Sequence, residues 1–540
     1  MIDTKNLSGD IFGGITAAVV ALPLALAFGV QSGMGAIAGL YGAIALGILA
    51  SVFGGTKTQI SGPTGPMAVV AAAIIAGEVS LYGSLDAAFG TIIATFVLAG
   101  IFQVLMGLMG LGQYVRYMPY PVISGFMSGI GLIIILLQVF PFFGLSSPAN
   151  IIDVFTSLGK IGAEMNMQAV GLSLATLAII YLFPKVSKKL PSSLVALVGL
   201  TVLTVFAGLK VPVIGDIPKG MPEVHIDTLL FMDWHHPMVM VIPAITLAAL
   251  GAIDSLLTSV VADNKTKTKH NSNRELIGQG IGNIGAGLIG GLPGAGATMR
   301  TVVNIDAGGR GRLSGVVHGL GLLIVLLGAS EYASLIPLPV LAGILIAVGF
   351  NIIDYKGLKH ITDVPRSEVV IMFIVLLLTV FADLLQAVAV GMVLASVLFM
   401  KKMGDLAEKG AQLKPFDADM GGLLDEGNTQ SPIYVQSFEG PIFFGFTAYF
   451  SKIMSELPKV KIVVFRMENV PYIDQSGMYA IEDAVLALEQ RGIEVFLTGI
   501  QKQPEDRLRR INLIPAVIDE ESLFEDFESF RRFASTSNLV

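Results

Sequence analysis

Gly62-Pro63-Thr64-Gly65-Pro66-Met67 and Gly291-Leu292-Pro293-Gly294-Ala295-Gly296-Ala297-Thr298-Met299 break the apolar part of the chain at two places about one repeat apart. Each lies just before an apolar segment too short to cross a bilayer alone, and the two hold corresponding positions in two halves. Proline removes a backbone donor and glycine weakens helix continuity, so each stretch ends one helical run and starts another. One such break is ordinary in a membrane helix. Two in register point to the substrate site of a secondary transporter.

The composition around them belongs to a membrane protein. Apolar residues make up 53% and charged residues 14%, against about 25% charged in soluble domains; the mean hydropathy is +0.74. Long apolar runs fill residues 1–400, and the remainder carries a disproportionate share of the charge. The expected organisation is a membrane domain at 1–402, a linker at 403–430 and a cytoplasmic α/β domain at 431–540. There is no cysteine, which excludes disulfides and thiolate metal sites. The net charge of −7 argues against a nucleic-acid surface. Residues 1–10 are polar without the basic-then-apolar order of a cleavable signal, and the first apolar run is long enough to remain a helix.

Fourteen apolar segments are expected, at 12–30, 36–53, 64–77, 84–110, 117–142, 168–184, 190–208, 237–261, 276–290, 297–306, 313–329, 335–354, 367–381 and 384–400. One set of alternate loops holds fourteen Lys and Arg residues, among them Lys57, Arg116, Lys185, Arg274, Arg310 and Lys356; the opposite set holds only Lys160, Lys210 and Lys219. The positive-inside rule makes the rich set cytoplasmic and, with an even count, both termini too. Seven segments lie on each side of loop 209–236, giving repeats at about 10–208 and 237–402. Seven is odd, so the second repeat runs inverted, a 7+7 design with half-helices 3 and 10 at its interface.

A helix starting around Thr64–Met67 and another near Ala297–Thr298 would each present first-turn N–H groups and about +0.5 charge. Facing one another, they make an anion cradle to which both threonine hydroxyls contribute. Asp254 lies within the apolar stretch 244–261, where a carboxylate costs at least about 3 kcal/mol and needs a partner. Thr258 follows one turn later on the same face. With the backbone around Gly296 and Thr298 they form a hard-oxygen set suited to an alkali cation, or a site for a proton. The alternative is an ion pair between Asp254 and Arg300; Arg300 itself reads either as an aid to anion attraction or as a residue of the cytoplasmic rim. Trp234 reads as an outer-interface anchor, and His235 and His236 beside it make no metal site.

In the tail, 433–435, 461–465 and 493–497 read as strands and 476–490 as a helix, which gives a small α/β domain. Ser476 at the helix start is either a plain N-cap or a phosphorylation point, since negative charge is favourable there.

These features resemble the SulP/SLC26 anion transporter family over nearly the whole chain. The stretches that carry it are Asp10-Ile11-Phe12-Gly13-Gly14, Gly39-Leu40-Tyr41-Gly42, Asn273-Arg274-Glu275-Leu276-Ile277-Gly278-Gln279-Gly280-Ile281-Gly282-Asn283 and Met299-Arg300-Thr301-Val302-Val303-Asn304. The tail resembles the family's STAS domain, with Asp474-Gln475-Ser476-Gly477 as its turn. Within the family the breaks and Asp254-Ser255-Leu256-Leu257-Thr258 look most like the sodium-dependent bicarbonate transporters. The resemblance implies bicarbonate at Thr64, Gly65, Ala297 and Thr298, sodium at Asp254, Thr258, Gly296 and Thr298, and a homodimer. Leu24 after Pro23 and Met299 before Arg300 depart from the wider family by removing polar groups, which suits a small, singly charged anion.

The expectation is a sodium–bicarbonate symporter of the plasma membrane working by an elevator-like motion, with sodium as coupling ion and no cofactor. The alternatives are a proton-coupled sulfate or dicarboxylate permease and an uncoupled anion channel. No nucleophile–base set is present to suggest an enzyme.

Overall fold

The computed structural model describes residues 6–148, 151–187, 190–215, 221–230, 237–382, 384–416, 432–458 and 460–537. The chain divides into two compact units, Met1–Val393 and Leu394–Val540.

Every one of the fourteen expected apolar segments coincides with a helix. In order they are α1 (Leu7–Ser32), α2 (Ala36–Phe53), α3 (Gly65–Tyr82), α4 (Leu85–Leu108), α5 (Tyr120–Leu137), α6 (Met167–Val186) and α7 (Ser192–Phe206), followed by α8 (Pro237–Thr266), α9 (Ser272–Leu288), α10 (Thr298–Asp306), α11 (Leu313–Ala333), α12 (Leu338–Ile352), α13 (Arg366–Phe381) and α14 (Leu384–Gly410). Among the described residues, eight helices are long and apolar enough to cross a membrane by length and composition, and three shorter apolar ones accompany them. Trp234, His235 and His236 lie outside the described residues.

One expectation needs correcting. The third segment is not a short half-helix ending near residue 77: α3 runs 18 residues to Tyr82 and stops at Gly83, whose φ of 83° is left-handed. Glu78 is buried and the helix carries on through it. The tenth segment does form a short helix, nine residues long.

The helices pack in two sets. α9 lies against α4 and α2, α11 against α1 and α2, and α8 against α4 and α10; separately, α13 and α12 lie against α5, and α6 against α7 and α12. Both broken segments belong to the first set.

The second unit is built on a five-stranded sheet in the order β3 (Gln412–Pro415), β4 (Ile433–Glu439), β5 (Ile462–Asn469), β6 (Glu494–Thr498), β7 (Leu523–Phe524). Only the β3–β4 pair is antiparallel. A parallel sheet has to be covered on both faces, which explains the continuous apolar run Ile462-Val463-Val464-Phe465. One face packs Phe438, Phe450 and Phe465 with α15 (Phe444–Ser455) and α16 (Gln475–Gln490); the other packs Val464 and Phe496 with Phe530 of α18 (Phe527–Thr536), beyond the short α17 (Lys502–Arg510). Within the expected linker, 403–410 continues α14, 412–415 is strand β3, and 417–430 lies outside the described residues.

Candidate functional site

The two breaks meet. Ser61 and Gly62 (β1) pair antiparallel with Gly296 and Ala295 (β2), and the Ala297 amide donates to the Ile60 carbonyl at 2.8 Å. Two backbones approach this closely only without side chains between them: a Cβ on Gly294 would sit 2.2 Å from the Gly62 carbonyl oxygen. Just beyond the crossing, Thr64 holds the extended N-cap position of α3 and Ala297 that of α10. The helix ladders begin with Ala68 N–H to the Thr64 carbonyl and Thr301 N–H to the Ala297 carbonyl, both at 2.9 Å. The first-turn amides ahead of these have no acceptor within their own helix.

α8 runs past both breaks and binds each. Thr64 Oγ1 does not cap its own helix; it donates to Asp254 Oδ2 at 2.7 Å. Ser255 Oγ accepts from the Gly296 amide at 3.0 Å. Thr258 Oγ1 lies 2.9 Å from the Gly296 carbonyl oxygen, to which it donates, and 2.6 Å from Thr298 Oγ1. The one-turn spacing of Asp254 and Thr258 puts the carboxylate at the first break and the hydroxyl at the second.

Thr64 and Gly65 therefore stand at one helix start and Ala297 and Thr298 at the other; of the second set, Asp254 meets Thr64, and Thr258 meets Gly296 and Thr298. The second set offers one carboxylate, two hydroxyls and a backbone carbonyl, all hard oxygens and only one of them charged. That chemistry fits a monovalent alkali cation. Among the described residues no cluster of three or more His, Cys, Asp or Glu is present. A small cavity lined by Pro66, Phe126, Met127, Ile253 and Leu257 reaches Asp254 from the α5 side.

Arg300 is not a rim residue. Its side chain is 1% exposed, and Nη2 donates to the Pro63 carbonyl, tying α10 to the first break. No ion pair within salt-bridge distance joins it to Asp254, whose carboxylate instead meets the Thr64 hydroxyl. Met299, expected to trim polarity from the cradle, is 62% exposed and forms no part of its buried wall.

Sequence reasoning missed the residues that hold the crossing in place. Asn283 grips Gly294 twice, accepting from its amide at 2.8 Å and donating to its carbonyl at 3.1 Å, and also donates to Gln103 Oε1 at 2.8 Å. Thr301 Oγ1 accepts from the Ile60 amide, and Asn304 donates to the Thr58 carbonyl. Gln103, Asn283 and Asn304 are amide side chains inside apolar segments, a signal that would have found them.

In the second unit Ser476 is exposed in the first turn of α16, but it is not the N-cap. Asp474 fills that position, accepting from Gly477 N–H at 2.8 Å and from Phe444 N–H at 3.2 Å.

Known proteins resemble this chain over most of its length. Residues 7–375 match the sulfate permease family and residues 427–529 the STAS domain. A bicarbonate transporter, BicA, of Picosynechococcus sp. is 41% identical over 544 residues, covering 98% of this chain and 95% of its own. The solved transmembrane domain of a cyanobacterial BicA superposes with a TM-score of 0.67 at 46% identity, over 72% of this chain and all but 2% of its own (98% covered). Murine Slc26a9, in an inward-facing state, shares the fold with a TM-score of 0.85 at 17% identity, over 99% of this chain and 92% of its own. With its paired helix breaks and α/β tail, the chain belongs to the sulfate permease family of membrane anion transporters and carries a C-terminal STAS domain.

Proposed function

We propose that this protein is a sodium-dependent bicarbonate symporter. The observation that carries the reading is the double attachment of α8, through Asp254 to the first break and through Thr258 to the second. Bicarbonate sits against the first-turn amides of α3 and α10, beside Thr64, Gly65, Ala297 and Thr298. Sodium sits among Asp254, Thr258, Thr298 and the Gly296 carbonyl. The high identity to a named bicarbonate transporter supports the choice of anion.

Charge balance gives the coupling. Beside the proposed ligands the core holds Asp254 and Arg300, one charge of each sign. Sodium and bicarbonate together add zero, whereas either alone leaves one net charge to be carried through the hydrocarbon layer, at about 3 kcal/mol or more. Empty and doubly loaded cores therefore move readily and singly loaded ones do not, which is symport. A sulfate dianion with one sodium leaves the core negative and is disfavoured by the same argument.

The set containing α1, α3, α8 and α10 moves as one against the set containing α5 and α12, an elevator-like exchange of access between inverted repeats. Both termini and the STAS domain face the cytoplasm of a bacterial plasma membrane, and the protein works as a homodimer. Ser476, exposed at a helix N-terminus, is the regulatory phosphorylation point, because added negative charge is favourable there.

The test is uptake of labelled bicarbonate by proteoliposomes at mildly alkaline pH, with and without an inward sodium gradient. Accumulation only with sodium is the expected result. Sulfate or dicarboxylate uptake driven by an acid gradient, without sodium, would replace the reading with a proton-coupled permease in which Asp254 carries the proton.

A further inference from the structure

Glu275 stands in the first turn of α9, is 1% exposed, and touches none of the proposed ligands. Its carboxylate meets four donors. Oε2 accepts the backbone amides of Gly55 at 2.8 Å and Thr56 at 2.7 Å; Oε1 accepts the side-chain amides of Gln59 and Gln279, each at 2.8 Å. The helix N-terminus adds its own favourable field. A carboxylate is acceptor-only, so it answers four donors without conflict, and a neutral amide in its place would turn N–H toward N–H.

Both amide arms lead to Gly296. The Gln59 amide packs against that residue: a Cβ there would be 2.0 Å from Gln59 Nε2. Its Oε1 accepts from Ser259 of α8 at 2.9 Å, and Ser259 Oγ lies 2.7 Å from Thr56 Oγ1, closing a ring of buried polar groups. Gln279 Nε2 also donates to Ser61 Oγ at 2.6 Å, and Ser61 is the strand partner of Gly296. The peptide whose carbonyl faces Thr258 is thus braced from two sides by one carboxylate.

We infer that Glu275 is a positioning residue for the cation site, setting the direction of the Gly296 carbonyl through Gln59 and Gln279, and so setting affinity for sodium without touching it. The inference rests on the sodium reading above. It separates a residue that fixes where a ligand atom points from one that holds the ion.

The experiment uses the purified full-length protein with two readouts: the rise of the unfolding temperature as sodium replaces potassium, and the sodium dependence of bicarbonate uptake in proteoliposomes. Glu275→Gln is expected to raise the half-saturating sodium concentration about tenfold in both, with uptake at saturating sodium within about twofold of the parent. Ser259→Ala, which removes the hydroxyl shared by Gln59 Oε1, Thr56 Oγ1 and the Ser255 carbonyl while leaving Glu275 in place, keeps the test open if Glu275→Gln does not fold; a shift of about threefold is expected. A loss of maximal uptake or of sodium-free stability, with half-saturation unchanged in the variant that folds, would make the network purely structural and overturn the inference. If the parent protein shows no sodium effect in either readout, the sodium reading falls and this role falls with it, a result distinct from a shift confined to the variants.

Discussion

The two helix breaks share a backbone design and differ in what they present. The first begins α3 with Thr64-Gly65-Pro66, so the second helical position has no N–H and the first turn offers fewer donors. The second begins α10 with Thr298-Met299-Arg300, whose three amides are all intact. The first break sends its hydroxyl away, to Asp254, while the second keeps Thr298 and the Gly296 carbonyl turned toward Thr258. One end is preorganised by proline and linked to a charge. The other is rich in amides and in oxygen ligands. Matching backbones in two halves therefore do not imply matching chemistry, because the side chain of α8 opposite each break decides what the break can hold.

The comparison can be broken outright at Asp254. Asp254→Asn is expected to abolish sodium-driven accumulation, at least a hundredfold loss or about 2.7 kcal/mol, with the protein still folded in detergent; retained sodium-driven uptake would remove α8 from the coupling. Next comes the packing at the crossing. Gly294→Ala pushes a methyl into the Gly62 carbonyl, whereas at Gly65 a Cβ would meet only the side-chain ends of Ile134 and Ile352, at 2.8 Å. The first should lose several kcal/mol of stability and the second about 1–3, read as unfolding temperatures of the two purified variants. A reversed order would mean the crossing is looser than its ladder implies.

Hydroxyl removal sharpens the division of labour. Thr298→Val should weaken sodium by about tenfold, near 1.4 kcal/mol, and bicarbonate less; Thr64→Val, which strips Asp254 of its donor, should disturb both. Equal effects of the two variants on both ions would show the sites to be less separate than drawn. The smallest effect belongs to Pro66→Ala, which restores the missing amide in α3 and should tighten bicarbonate by no more than about 1 kcal/mol, measured as the half-saturating bicarbonate concentration.

Much of the fold was legible because its signals are local. Apolar length marks a membrane helix wherever it falls, and all fourteen expected segments are helices. The end of α3 is not a local signal: the expected segment closes at residue 77, whereas Glu78 is buried and the helix continues to Tyr82. Asp254 stood out as a charge in an apolar run. Arg300 was left aside because a basic residue near a helix end looks like a topology signal, and only its insertion against Pro63 of the first break makes it part of the core. In the tail, Asp474 rather than Ser476 caps α16, since the serine lies two residues further on.

The sequence by itself determined that the chain is membrane-embedded, that two helices restart at Gly–Pro breaks, and that one intramembrane carboxylate needs a partner. All three follow from hydropathy, backbone freedom and the cost of a buried charge, and need no knowledge of neighbours. The tertiary structure alone decided which groups meet across 190 or more residues of chain: Thr64 with Asp254, Arg300 with Pro63, Glu275 with Gln59. Hydrogen bonds reach about 3 Å and depend on direction, and no pattern of spacing along the chain records where a distant donor will point.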